Sequence, residues 1–251
     1  MKRIIVVFLF LMGCGKCPEF VKDFNSDILS LEYFKNGNIE SIMFLKDGKR
    51  HGRNLIFYPN GKLKVDAKYN NDICSDILTH FDSLGNIEVI YKIIVQNNRP
   101  FINEEIQYNK NGEIDIEKSR YISLHPSKDT LSKGEKFVLK IRLEASAYPQ
   151  NKKDIVRKVF FNGLDNQYNI IDLKNLKVIN LGDKKEVVLN IFPTCVGNQT
   201  VRGFLLEKEQ VSKKSTSLNA IFFSQDYYVK GDTLISHYAY DLDFWKLVKD
   251  L

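Results

Sequence analysis

The chain has 251 residues, of which 43% are hydrophobic and 12% aromatic, enough apolar side chain to build buried cores and to exclude global disorder. Its formal charge of +6 is unevenly divided: residues 18–120 carry 14 Lys and Arg against 16 Asp and Glu, and residues 121–251 carry 20 against 15. That modest, dispersed surplus argues against nucleic acid as a partner, which would call for a concentrated basic footprint, and the length fits one large or two modest domains.

In chain order the first element is Lys2-Arg3 followed by an unbroken apolar run over 4–11 and then Leu11-Met12-Gly13-Cys14. As a helix the run spans only about 12 Å, far short of the ~30 Å hydrocarbon core, so it is not a permanent membrane span. A positive start, a short apolar stretch and a small residue before the cut make a secretory signal. The pattern resembles a bacterial lipoprotein signal peptide, apart from Met12, where a smaller residue is usual. The resemblance implies that 1–13 is removed, that Cys14 is the lipidation site and new N-terminus, and that 14–29 is a tether. Its expected address is the bacterial cell envelope, lipid-anchored to a membrane, the outer one by preference, on its periplasmic side or surface. Cys14-Gly15-Lys16-Cys17 also spells C-x-x-C, but no thioredoxin-like context follows. Cys17, Cys74 and Cys195 are too few for a disulfide scaffold, and their spacing leaves any pairing open.

From residue 30 to 120 one frame recurs. Tyr33-Phe34-Lys35-Asn36-Gly37-Asn38-Ile39, Phe57-Tyr58-Pro59-Asn60-Gly61-Lys62-Leu63, Phe81-Asp82-Ser83-Leu84-Gly85-Asn86-Ile87 and Tyr108-Asn109-Lys110-Asn111-Gly112-Glu113-Ile114 each place an aromatic four residues before a glycine and Ile or Leu two after it. Gly37, Gly61, Gly85 and Gly112 lie 24, 24 and 27 residues apart, a period typical of stacked supersecondary units. Asn-Gly supplies the positive φ that a two-residue hairpin turn demands. Second turns are expected at 46–49, 70–72 and 96–100, giving two strands per unit. Residues 62–69 show the strand chemistry, with Leu63, Val65, Ala67 and Tyr69 alternating with Lys62, Lys64, Asp66 and Lys68. The frame, together with Lys49-Arg50-His51-Gly52, resembles the bacterial MORN-variant repeat, whose units read like Tyr-Tyr-x-Asn-Gly-Lys-Leu followed by Gly-Lys-x-x-Gly. The resemblance implies a β-hairpin array used for contacts with proteins or membranes, and some members are labelled antitoxins.

Beyond residue 120 the period vanishes and strands lengthen. Alternation or apolar runs predict strands at 135–144, 155–161, 167–173, 186–192, 200–206 and 218–229, the pattern of a β-sandwich. The layout of 126–143 and 187–206 is similar to immunoglobulin-like or fibronectin-type domains, without their Cys, Trp, Cys arrangement. That assigns 121–232 to the sandwich and 233–251 to a tail holding a strand and a short helix. The fold class is therefore all-β, an antiparallel β-hairpin repeat array followed by an immunoglobulin-like β-sandwich.

Chemistry is sparse. His51, His80, His125 and His237 are scattered, and there is no H-E-x-x-H pair, nucleophile elbow, Walker loop or dinucleotide fingerprint. Glu104 and Glu105 are adjacent on a strand and point to opposite faces. No catalytic residue, cofactor or metal is expected. The leading expectation is a noncatalytic lipid-anchored envelope protein that binds a protein partner or lends structural support. The alternatives are an immunity or antitoxin-type binder and a carbohydrate-binding or hydrolytic envelope protein, with Tyr227 and Tyr228 as candidate sugar-stacking rings.

Overall fold

A computed structural model describes residues 4–6, 28–148, 155–212 and 215–231. Among them every regular element is a strand, so the chain is all-β, and it divides into two compact units, Met1–Asp115 and Ile116–Leu251. Cys14, most of the tether, the 233–251 tail, Cys17 and His237 lie outside the described residues.

The first unit is one antiparallel sheet built in chain order. Its strands are β1 (Ile4–Val6), β2 (Ile28–Tyr33), β3 (Ile39–Lys46), β4 (Lys49–Arg50), β5 (Gly52–Phe57), β6 (Leu63–Asn70), β7 (Ile73–Phe81), β8 (Ile87–Gln96) and β9 (Arg99–Gln107), with β4 beside β3 off the main path. Two kinds of turn alternate. Asp47-Gly48, Asn71-Asp72 and Asn97-Asn98 are two-residue loops in which both residues have positive φ, between 49° and 74°, the type I′ geometry that matches strand twist.

The frame glycines sit in the other kind. Gly37 donates to the Phe34 carbonyl at 3.0 Å while Phe34 N–H donates to Asn38 at 2.9 Å, and the same two bonds recur at Tyr58, Asp82 and Asn109. These are three-residue loops in which the glycine alone, at φ 80° to 91°, occupies the left-handed region. The Asn-Gly pairs thus do not form the two-residue turns that their composition suggests. The glycine absorbs the unusual φ, and the register slips just beyond the first three loops, at Glu32/Tyr33, Ile56/Phe57 and His80/Phe81.

The second unit is two sheets around one core. Its strands are β10 (Tyr121–Pro126), β11 (Thr130–Ser132), β12 (Phe137–Ala145), β13 (Ile155–Phe161), β14 (Lys177–Asn180), β15 (Glu186–Ile191), β16 (Gly197–Ser212) and β17 (Ser215–Lys230). The sheets run β10-β12-β15 and β11-β17-β16-β13-β14, with only the β11–β17 pair parallel among the described strands. The expected alternation over 135–144 is met: Phe137, Leu139, Ile141 and Leu143 are buried and meet Val159, Leu205 and Ile221 of the facing sheet. This strand order is compatible with an immunoglobulin-like layout.

The strand expected at 167–173 does not form. Asp165 takes the Gln167 and Asn169 amides at 2.8 and 2.9 Å and its carboxylate holds the Asn169 side chain, which turns the backbone instead of extending it. Its apolar residues are still used. Phe160, Phe204 and Phe222 are register partners on the sheet face opposite the main core, their rings 4.6 and 5.6 Å apart, and Tyr168 closes on Phe222 at 5.1 Å.

Arg157 lies inside β13 and serves a buried carboxylate. Glu207 has no solvent exposure and accepts from Ser146 Oγ (2.5 Å), Arg157 Nε (3.0 Å), Ala147 N–H (3.1 Å) and Asn219 Nδ2 (3.2 Å). Four donors on two neighbouring strands and a loop compensate the desolvated charge. Glu207→Ala, which leaves Arg157 without its counter-ion, is expected to cost about 3–5 kcal/mol in chemical denaturation; a loss under about 1 kcal/mol would show that the network contributes little.

Candidate functional site

The repeat frame acquires its meaning from the register. Its aromatic and its aliphatic residue are direct cross-strand partners that close each loop: Tyr33↔Ile39, Phe57↔Leu63, Phe81↔Ile87 and Tyr108↔Ile114. Antiparallel partners share a face, and tracing the register through Leu55, Asp66, Thr79, Ile90 and Ile106 puts all four pairs on the face of Ile42, Phe44 and Leu55. With two strands per unit, the pairs recur about every 10 Å. The stripe is only half covered: Tyr33, Ile39, Ile87 and Ile114 are 36–41% exposed, and Phe57, Leu63, Phe81 and Tyr108 are half-buried.

The loops are also tied to one another. Asn36 and Asn38 donate from Nδ2 to the Pro59 carbonyl at 2.8 and 2.7 Å, Asn60 repeats this to Ser83 at 2.9 Å, Tyr58 Oη reaches Phe81 O at 2.8 Å, and Lys62 Nζ bonds Leu84 O. Released from the left-handed position, the frame asparagine links each turn to the next. Leu84 fills that slot in the third turn and has no donor, and there the period stretches from 24 to 27 residues. At the opposite ends of the strands Arg50 plays the matching part. Its Nε lies 2.9 Å from Asp72 Oδ1 and its guanidinium 4.2 Å above the Tyr69 ring.

Residues 50–71 match the MORN repeat variant. The span begins at Arg50 and ends at Asn71, so it contains the Phe57–Leu63 closing pair, the Gly61 loop and one half of the turn that Arg50 clamps. It lies inside the 30–120 region where the frame recurs and includes the unit whose residues fit the frame best. Comparison with curated proteins finds no match.

In the second unit the titratable groups gather on the outer face of the β10-β12-β15 sheet. Ser123 donates to Glu144 Oε1 at 2.6 Å and lies 2.9 Å from His125 Nε2, Arg142 approaches Glu144 at 3.5 Å, and Lys140 approaches Glu186 at 3.2 Å. An open groove lined by His125, Ser127, Val138, Lys140, Arg142 and Glu186 runs across them. The order is not that of a catalytic triad, because the serine hydroxyl donates its hydrogen bond to the carboxylate rather than to the imidazole, and the carboxylate is bonded to the serine rather than to the histidine. Among the described residues no three His, Cys, Asp or Glu gather closely enough to hold a metal.

The remaining sequence candidates fall as follows. Tyr227 is buried and stacks on Phe137 at 4.2 Å, so it belongs to the core and offers no face to a sugar, whereas Tyr228 is 44% exposed. Glu104 is buried and pairs with Lys92 at 2.7 Å, and Glu105 accepts from Gln107 at 2.6 Å on the other face. His80 meets Tyr91 edge-on at 5.9 Å. His51 is half-buried, with Nδ1 shielded from solvent. Burial pushes the Cys74 thiol up against a smaller opposing pull from Arg50.

Two loop carboxylates tune the array to pH. The Arg50 side chain and amide hold Asp72 below the usual carboxylate range, and the Asn86 side chain and amide do the same for Asp82. A depressed folded value contributes stability above the unfolded pKa of about 3.9, and the contribution disappears as pH falls through the lower folded value. The variant Asp72→Asn, Asp82→Asn is therefore expected to have a lower denaturation midpoint than the parent at pH 7. The gap should close in strongly acid solution; a gap independent of pH would remove both carboxylates from the explanation.

Proposed function

We propose that this chain is a noncatalytic lipoprotein of the bacterial cell envelope, held to a membrane through lipidated Cys14, whose repeat array binds a partner protein along the aromatic–aliphatic stripe. The carrying observation is the stripe: one half-exposed apolar pair per unit, at constant pitch, along one face of the sheet. Repeat arrays present extended surfaces of this kind, and contiguous exposed apolar area marks interaction sites. The MORN repeat variant at 50–71 supports a binding or structural role. We also read the second unit as an immunoglobulin-like sandwich, in which β10, β12 and β15 stand for strands A, B and E and β17, β16 and β13 for G, F and C.

Two measurements test the proposal. Cys14→Ser should move the protein from the membrane to the soluble fraction with both units still folded, and a variant that stays membrane-bound contradicts lipidation. A photo-crosslinking side chain at Ile87, on the stripe, should give a discrete protein adduct in cells, while one at Ile56, 41% exposed on the opposite face, should not. The reverse pattern, or hydrolysis of an envelope substrate abolished by one side-chain change, contradicts the binding role.

A further inference from the structure

The β2 edge of the array has an occupant in this structure, and the lipoprotein reading removes it. Ile4–Val6 pairs antiparallel with β2, Ile4↔Leu31, Ile5↔Ser30 and Val6↔Leu29, and so caps the end of the sheet where Leu29 and Leu31 pack on Ile42 and Phe44. Cleavage before Cys14 takes these residues away. The two ends of the array differ in how they would tolerate an open edge. At the far end β9 opens with Arg99-Pro100, charge and proline being the devices that discourage further strand addition. Ile28-Leu29-Ser30-Leu31-Glu32-Tyr33 has no proline, and its one charge, Glu32, stands near the end of the strand.

We propose that in the mature protein a second copy of the chain takes the place of β1, joining β2 to β2 in antiparallel register about a twofold axis through Ser30. The inference rests on the lipoprotein reading above. Its basis is self-complementarity. β1 sets Ile4 against Leu31 and Val6 against Leu29, and Leu29-Ser30-Leu31 of a second copy sets leucine against the same two positions, with Ser30 in place of Ile5 at the middle. In that register Leu29 faces the partner's Leu31, Ser30 faces Ser30, and Glu32 faces Ile28, so no like charges stand opposite each other. The interface is isologous, closes at two copies, and continues one sheet across both arrays. Anchoring in a common membrane raises the effective concentration of the copies and favours the pairing.

The test uses the full-length protein in its own membranes. After mild oxidation, Ser30→Cys should give a covalent dimer in which peptide mass mapping finds the introduced thiol of one copy joined to the same thiol of the other. Glu32→Cys, which faces Ile28, should remain mostly uncrosslinked. Native mass of the unsubstituted protein in detergent should independently read two copies. The same peptide maps report whether Ile4–Val6 has been removed. A chain that retains these residues overturns both the processing and the pairing. A processed, membrane-bound chain that reads one copy, or in which the introduced thiol links to Cys17 of its own tether, overturns the pairing alone.

Discussion

The repeat array depends on a backbone conformation that only glycine adopts without strain. Gly37, Gly61, Gly85 and Gly112 each end a three-residue loop at φ 80° to 91°, and an added Cβ there would be strained even where, as at Gly37, Gly61 and Gly112, nothing crowds it. Because the glycine takes the left-handed position, the residue before it keeps an ordinary backbone and a free side chain. Because the loop has a fixed length, the residues four before and two after the glycine become cross-strand partners. The closing pairs and the asparagine links are consequences of that one dihedral angle.

Stability in such an array comes from neighbours. The buried cluster of Ile42, Phe44 and Leu55 is small and lies toward the β2 end, so a single hairpin has little core of its own, and each unit relies on ladder bonds and loop links to the next. The second unit is built on the opposite plan. Its core draws on both sheets, and Glu207 joins β13, β16, β17 and the chain after β12 through one buried carboxylate. The first unit thus leaves an apolar stripe half exposed, whereas the second closes its apolar residues into a core.

How much of this was legible in the sequence follows the range of each interaction. The glycine spacing and the aromatic and aliphatic positions are local, and they identified the repeat and the all-β class. The loop length was misread because Asn-Gly suits both two-residue and three-residue loops, and what separates them is the register of strands on either side. Gln167–Leu173 carries an apolar pattern that fits a strand, but the Asp165 carboxylate captures two amides and settles the matter locally. The Glu207 network joins residues 12 to 61 positions apart, and no spacing rule announces it. The exposure of the stripe was equally hidden, since an aromatic in a repeat frame reads the same whether it is covered or bare.

The direct test of neighbour-to-neighbour coupling is native-state hydrogen exchange on the frame amides of Asn60→Ala and the parent. The Asn60 side chain bonds Ser83 O, while Leu84 has no donor to pass the link onward. Coupling through the loop links predicts that the variant loses protection at Gly61, Gly85 and Asn86 and leaves Gly112 unchanged. An equal loss at Gly112, or no loss at Gly85, would show that the array opens as one block and that the asparagine links do not hold it together.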